Sequence, residues 1–234
     1  MKKLLIATAA AAFAISGAAN AATLWLTDAP GSTLTSGTIP GGSQLHSPNN
    51  DVLDALYGPG ASLGGWFGAQ VNTSAGLEFR VDYFGHEAFF DNTVTIEGAV
   101  LGDLPEAADD GVEIETTTLA APLASAFVTA SGSILDFVFR SHSPIGGVVI
   151  SPGHVISNGG ANVVSGGPNF FVSFGPGNES ATSGEEIWVF YDDAGQAGDN
   201  HDDLVIRIST VPLPAGVLLM LTGLGALGLR RKFA

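Results

Sequence analysis

The sequence has 234 residues and no cysteine, and its 23 acidic and eight basic residues give a formal net charge of −15 at pH 7. Without cysteine the protein has no disulfides and no thiol catalysis. The acidic balance repels phosphate backbones, so we expect no nucleic-acid binding.

Residues 1–21 have the pattern of a secretory signal peptide. Lys2 and Lys3 form a basic start, residues 4–15 are apolar, and Ala19-Asn20-Ala21 is a small-x-small cleavage site. Such a segment is removed after export and takes no part in the mature fold. We therefore expect the protein to be exported.

Residues 22–210 form the predicted ectodomain, which is long enough to bury a substantial core. They contain all 23 acidic residues, and their only basic residues are Arg80, Arg140 and Arg207, so their net charge is −20. A domain of this charge attracts divalent cations. The alternative is that the acidity only keeps an exported protein soluble.

The ectodomain is predicted to be all-β. Residues 77–83 alternate apolar and polar side chains, as in a half-buried strand. Further segments rich in β-branched and aromatic residues predict strands at 93–97, 134–140, 148–150, 169–174, 186–191 and 204–209. Frequent glycine and proline turns between short strands favour an antiparallel β-sandwich or jelly-roll. Composition predicts one short helix at 50–57 and loops at 29–48 and 102–111.

Most catalytic motifs fail on inspection. His86-Glu87 begins like a zinc-protease motif, but Phe90 occupies the position of the second histidine ligand. Ser141 and His142 are neighbours on a predicted strand and would therefore point to opposite faces. We expect no enzymatic activity.

Trp188 is predicted to be a core residue, whereas Trp66 is the better candidate for an exposed sugar platform.

One acidic hairpin is the best candidate site. Two apolar strands flank a loop at 192–202, and their pairing would bring carboxylates from both ends of this loop into one small volume. Like charges ~4 Å apart repel by ~4 kcal/mol at an effective dielectric of ~20, so such a cluster favours a cation. Calcium suits it, since it takes 6–8 oxygen ligands in flexible geometry. The alternative is an exposed acidic loop without an ion. The predicted ligands are Asp192, Asp193, Asp199, Asp202 and Asp203, with Asn200 as a weaker candidate.

Residues 211–234 have the pattern of a membrane-inserted tail. Nineteen residues from Val211 to Leu229 carry no charge, and Arg230, Arg231 and Lys232 follow them. As a helix this run would nearly span a bilayer of ~30 Å, and the basic cluster would stay in the cytoplasm. Before the helix, Val211-Pro212-Leu213-Pro214-Ala215 is predicted to be extended, because proline disfavours helix.

The signal peptide, the glycine-rich ectodomain and this tail together resemble exported bacterial proteins of the PEP-CTERM type, and the tail resembles the VPLPA variant. The resemblance implies processing by an exosortase in a Gram-negative bacterium that makes extracellular polysaccharide. It implies a precursor in the inner membrane, followed by the cell surface, outer membrane or extracellular matrix. The acidic hairpin also resembles the closing segment of many such ectodomains, at 191–193 and 199–205. A simple membrane anchor that is never processed is the alternative for the tail.

The sequence therefore predicts an exported surface or matrix protein with a structural or adhesive role, stabilised by calcium. The first alternative is a calcium-dependent carbohydrate-binding module for the cell's own exopolysaccharide. The second is a secreted hydrolase, which no motif supports.

Overall fold

A computed structural model gives the fold of this chain, and it describes residues 23–40, 52–88, 90–102, 113–142, 154–163, 167–193 and 201–211. Residues Thr23–Thr210 form one compact unit. The described residues contain fifteen strands and one short helix, and every strand pairing is antiparallel. The predicted all-β class is therefore confirmed.

The elements are short and follow one another closely along the chain. The helix is α1, Val52–Tyr57. The strands are β1 Leu24–Asp28, β2 Thr35–Pro40, β3 Ser62–Phe67, β4 Ala69–Thr73, β5 Glu78–Ala88, β6 Asp91–Ile96, β7 Ala99–Gly102, β8 Glu113–Thr116, β9 Ala124–Thr129, β10 Phe137–His142, β11 Val155–Ser157, β12 Asn169–Ser173, β13 Ser183–Gly184, β14 Glu186–Asp192 and β15 Leu204–Thr210.

The strands form three sheets. The largest has eight strands in the order β2-β3-β12-β14-β15-β5-β8, with β9 also paired to β5. A four-stranded sheet has the order β11-β10-β6-β7, and a three-stranded sheet has the order β13-β1-β4. Strands that are adjacent in a sheet are often distant in sequence, so most of the fold depends on long-range pairing.

The main hydrophobic core is shared by all three sheets. The eight-stranded sheet contributes residues such as Phe79 and Ile206, the four-stranded sheet contributes Phe139, and the three-stranded sheet contributes Leu24 and Val71. All five side chains are fully buried. Burial of this apolar surface is the dominant favourable term for the fold.

Helix α1 covers a second hydrophobic cluster, which is formed by residues of the eight-stranded sheet that do not belong to the main core. Val52 and Leu53 of the helix are buried in one cluster with Phe84, Trp188 and Phe190. The predicted helix is confirmed, with its first helical residue at Val52, and Trp188 is a core residue as expected.

The strand at Glu78–Ala88 is more deeply buried than its alternation predicts. Asp82 was expected on a polar, solvent-facing side, but it is fully buried. Its carboxylate accepts hydrogen bonds from Ser125, Arg80 and Arg207. Burial acts to raise the pKa of Asp82, but these three hydrogen bonds outweigh burial and hold the pKa below its usual range. Two of the three ectodomain arginines are thus engaged by one acid.

Five other sequence expectations need correction or concern residues outside the described ranges. The predicted loop at 29–48 contains an edge strand, β2, which ends at Pro40, and proline is tolerated at such an edge. The strand predicted at 134–140 begins at Phe137 instead. Residues 148–150 and 103–111 lie outside the described ranges. Within those ranges no helix has the length and apolarity to cross a bilayer, and residues 212–229 of the predicted span lie outside them.

Candidate metal centre

The hairpin of β14 and β15 brings three of the predicted acids together. The two strands pair antiparallel up to Tyr191 opposite Leu204, which confirms the predicted hairpin. Asp192 follows Tyr191 and Asp203 precedes Leu204, so the pairing places these acids at the same end. One carboxylate oxygen from each of Asp192, Asp193 and Asp203 lies within 4.8 Å of the other two. We call these three residues the acid cluster.

The acid cluster is buried, unlike an ordinary acidic loop. Asp192 is 0% exposed, Asp193 is 5% exposed and Asp203 is 8% exposed. Burial of ionised carboxylates is expensive, because a low-dielectric surrounding penalises the charged form. These values oppose the alternative of a solvated acidic loop.

Asp193 and Asp203 are held by hydrogen bonds from Asn92 and from the main chain of the cluster itself. The Asn92 Nδ2 group donates to Asp193 Oδ2 at 3.0 Å and to the main-chain oxygen of Asp203 at 3.2 Å. The main-chain N–H of Asp193 donates to Asp203 Oδ2 at 2.6 Å. His154 Nδ1 lies 2.9 Å from the main-chain oxygen of Asp193. These contacts fix the positions of two carboxylates.

Asn169 and His201 lie next to the third acid, Asp192. Asn169 Nδ2 donates to Asp192 Oδ2 at 3.1 Å, and Asn169 Oδ1 lies 2.8 Å from His201 Nε2. His201 Nε2 is also 3.8 Å from Asp192 Oδ2. His201 has a left-handed backbone with φ of 63°, which is uncommon for a residue other than glycine. Its conformation places the ring beside the cluster.

Electrostatics at the cluster favour a positive partner. Burial raises the pKa of Asp193 to about 6, and the charge of Asp192 adds to this rise, against the hydrogen bond from Asn92. Among the described residues, Arg80 and Arg207 pair with Asp82 instead. His201, whose Nε2 lies 3.8 Å from Asp192 Oδ2, would be a cationic neighbour of the acids only when its ring is protonated.

The arrangement is suited to bind a hard divalent cation. Carboxylate and amide oxygens are the ligands that calcium and magnesium prefer. Bringing a cation among the three carboxylates would relieve the repulsion between them and the cost of their burial.

The remaining predicted ligands have different positions. Asp202 is buried, but its Oδ2 accepts a hydrogen bond from the main-chain N–H of Val52 at 3.2 Å, at the start of α1. It is not among the three acids that converge. Asp199 and Asn200 lie outside the described residues.

No local sequence pattern predicts four neighbours of the acids, which are Asn92, Asn169, His154 and His201. Asn92 is 101 positions from Asp193, and no local pattern connects them. His154 and His201 are also far apart in the sequence, yet both lie beside the cluster in the fold. The approach of Asn92 on β6 and of His154 before β11 to the end of the hairpin is a long-range contact that no local pattern encodes.

Two other candidate regions, the Ser141–His142 pair and Trp66, make hydrogen bonds within the fold. His142 Nε2 lies 3.0 Å from Thr93 Oγ1, whereas Ser141 Oγ lies 3.1 Å from the Tyr191 hydroxyl, so the two neighbours do face opposite ways. Trp66 is half-buried, and its Nε1 donates to the main-chain oxygen of Ala181 at 2.7 Å. Trp66 is therefore partly enclosed rather than fully exposed, and a sugar-binding role for it stays a prediction.

Comparison with known proteins gives no relative: no family model matches the chain, and neither a curated protein nor a solved structure has significant similarity to it.

Proposed function

We propose that this chain is an exported cell-surface or extracellular-matrix protein with a structural or adhesive role, stabilised by calcium at Asp192, Asp193 and Asp203. The observation that carries the calcium site is the convergence of three buried carboxylates within 4.8 Å. Many exported proteins are stabilised by disulfides, but a protein without cysteine cannot form them. A bound cation would supply a comparable constraint.

Calcium fits the proposed site better than magnesium. The candidate ligands are three carboxylates on two strand ends and a loop, which is an irregular arrangement. Calcium accepts irregular sets of 6–8 oxygens at 2.3–2.6 Å, whereas magnesium requires near-octahedral geometry at ~2.0–2.1 Å and loses water reluctantly. The preference for calcium is therefore part of the proposal.

Direct titration tests the calcium site. We expect the full chain, kept in non-ionic detergent and freed of metal, to bind calcium with heat release or uptake that equimolar magnesium does not reproduce. Asp203→Asn should weaken the binding at least about tenfold, since it removes a charged ligand. Asp136→Asn removes an exposed acid outside the cluster and is the matched control. Equal calcium binding by wild type and Asp203→Asn would contradict the site.

The finer fold and the membrane span are also part of this proposal. A β-sandwich or jelly-roll-like arrangement is supported by one buried cluster to which strands of all three sheets contribute. A single transmembrane helix after residue 210 is supported by the uncharged run and the basic residues behind it. A carbohydrate-binding role and a hydrolase role stay predictions from the sequence.

We further propose that the tail is an exosortase-type sorting signal. Pro212→Ala with Pro214→Ala leaves the apolar run and the basic cluster intact. If the proline motif is needed for processing, we expect this variant to stay in the inner membrane of the native host at precursor mass. Cell fractionation with an antibody against the ectodomain measures this. A plain anchor predicts the same mass and location for wild type and variant, and that result would refute the sorting role.

A further inference from the structure

The outward face of the three-stranded sheet carries four neutral side chains. Trp25 and Thr27 of β1 alternate with leucines that are buried in the main core, so these two residues lie on the opposite face of the strand. Their antiparallel partners in β4 are Asn72 and Gln70, respectively. Cross-strand partners share one face of a sheet, so the four residues form one surface, which we call the amide face.

Hydrogen bonds within the amide face fix the orientation of both side-chain amides. Asn72 Nδ2 lies 3.1 Å from the main-chain oxygen of Gln70 and 3.4 Å from that of Trp25. It also donates to Thr27 Oγ1 at 2.9 Å. Because a donor is required there, Asn72 Oδ1 points the other way and accepts from Gln70 Nε2 at 2.9 Å. The Gln70 Oε1 acceptor and the Thr27 hydroxyl donor then have no partner among the described residues.

Trp25 provides an aromatic surface beside these polar groups. Its side chain is partly exposed, and its Nε1–H group donates to no described residue. The other two tryptophans differ, since Trp188 is 2% exposed and Trp66 Nε1 donates to a main-chain oxygen. Ile134, which is bridged to Asn72 and is 41% exposed, extends the surface. Within the described residues, Trp25 thus combines an accessible ring with an unused donor.

The amide face is neutral, although the domain around it is strongly acidic. Residues 22–210 have a net charge of −20, but the amide face and its registered neighbours, Ser183 and Ile134, carry no charge. An anionic ligand would be repelled by the domain and would meet no cation among these residues. A cationic ligand would be attracted to the acids elsewhere. The ligand that suits this surface is therefore uncharged.

A cavity of about 230 Å³ adjoins the same pair of strands. Its lining is also uncharged and includes three hydroxyl side chains, and the lining residues are Ser32, Thr33, Thr35, Gly68, Asn162 and Val163. Gly68 lies two residues before Gln70, which is at most ~7 Å along an extended chain. An extended ligand on the amide face can therefore reach this cavity with a neighbouring unit.

A glycan suits this surface better than a second protein does. Pyranose rings have apolar C–H faces that stack on aromatic rings, and hydroxyl groups that both donate and accept hydrogen bonds. Trp25 supplies the ring, while Gln70 and Thr27 supply an acceptor and a donor. A stable protein interface buries ~800 Å² per partner around an apolar centre. One partly exposed tryptophan among polar side chains does not provide such a centre.

We infer that the amide face binds a neutral glycan, with a pyranose ring stacked on Trp25 and sugar hydroxyl groups bonded to Thr27 and Gln70. Asn72 is 6% exposed and positions these two polar side chains. The carbohydrate-binding role, which the sequence predicts as an alternative, then has a location. This site is independent of the calcium site, because the acid cluster belongs to the hairpin of the eight-stranded sheet.

Affinity electrophoresis of the full chain tests this inference. A polyoxyethylene detergent is required, because the sugar head groups of alkyl glycosides would compete. The native gels contain dextran, galactomannan or hydroxyethylcellulose as neutral probes, or alginate as an anionic probe. We expect at least one neutral polysaccharide, but not alginate, to retard the protein. Trp25→Ala should weaken binding at least about tenfold by removing the stacking surface. Thr27→Val keeps the side-chain shape, and loss of its hydroxyl should weaken binding about threefold to tenfold.

Phe127→Ala is the matched control, because Phe127 is 64% exposed but lies on β9 of the eight-stranded sheet. It should bind like wild type. Equal weakening in Phe127→Ala, unchanged binding by Trp25→Ala, or binding to alginate alone would overturn the inference. A change from dimer to monomer in Trp25→Ala would identify a second copy as the occupant instead. If no neutral polysaccharide retards wild type, the inference is wrong, while the calcium site and the sorting tail are unaffected.

Oxidative footprinting supplies a test that needs no variant. Hydroxyl radicals oxidise accessible aromatic side chains, and mass spectrometry locates the oxidised residues. A saturating concentration of the retarding polysaccharide should protect Trp25 and leave Trp66 and Phe127 unchanged. Protection of Trp66 instead of Trp25 would place the glycan on another surface and would overturn the amide face as its site.

Discussion

Asp193→Asn is expected to raise the melting temperature of the calcium-free protein at pH 8 and to lower that of the calcium-saturated protein. Without the ion, wild type holds the buried carboxylate of Asp193, and burial raises the pKa of this group to about 6. Asparagine has nearly the same shape and no charge, so its burial costs less. With the ion, the same substitution removes a charged ligand, so the sign of the effect reverses.

The size of the calcium effect follows from mass action. At ~100 times the dissociation constant, a ligand that binds only the folded state adds ~2.7 kcal/mol to the free energy of unfolding. For a domain of this size, 1 kcal/mol changes the melting temperature by ~2–4 °C. We therefore expect wild type to melt about 5–10 °C higher in calcium than in EDTA, and Asp193→Asn to lose most of this difference.

Melting curves of the full chain in detergent, recorded in EDTA, calcium and equimolar magnesium, measure both effects. Asp82→Asn is the matched control, because Asp82 is equally buried but is paired with arginines away from the cluster. It should lower both melting temperatures and preserve the difference between calcium and EDTA. The proposed site is wrong if calcium leaves the melting temperature of wild type unchanged.

The calcium-free protein is expected to lose stability as the pH rises from about 4 to above 6. The pKa of Asp193 is raised from 3.8 to about 6 in the folded state, so folding favours its protonated form. The resulting stability is fully present below the unfolded pKa and is lost as the pH passes through the folded pKa. A shift of about 2 units corresponds to ~3 kcal/mol.

Denaturant unfolding in EDTA at pH 4, 6 and 8 measures this loss. Other groups also titrate in this range, so the relevant quantity is the difference in unfolding free energy between wild type and Asp193→Asn. Relative to the variant, wild type should become less stable by up to ~3 kcal/mol as the pH rises. A difference that does not depend on pH would show that Asp193 is not protonated by burial.

Calcium should remove this pH dependence. Its ligands must be deprotonated, so calcium affinity rises as the pH passes through about 6 and binding releases protons below that value. In saturating calcium Asp193 stays deprotonated in the folded state, so the stability of wild type should no longer fall as the pH rises through about 6. Calorimetric titration in buffers of different ionisation enthalpy measures the released protons.

The strands with the clearest local pattern were predictable from sequence. Glu186–Asp192 and Leu204–Thr210 are rich in β-branched and aromatic residues, and their separation is that of a hairpin. Pairing of consecutive strands follows from chain connectivity, so the predicted meeting of Asp192 with the acids before Leu204 required no distant information.

Strands with weak local patterns were not predictable. Ser62–Phe67 contains two glycines, which lower strand propensity, yet it lies inside the large sheet. Its glycines are explained by close packing: a Cβ at Gly65 would lie 2.3 Å from the main-chain oxygen of Val172. The need for glycine there comes from a strand more than 100 positions away, which no local pattern encodes.

The sequence by itself determined an all-β class and a hairpin that concentrates acids, because charge, periodicity and loop length are local properties. The tertiary structure decided which acids converge. It directs Asp202 to the first turn of α1 and brings Asn92 to Asp193 from another sheet. Both contacts depend on the register of strands and on side-chain burial across 100 or more positions. Those quantities are fixed only when the whole core packs.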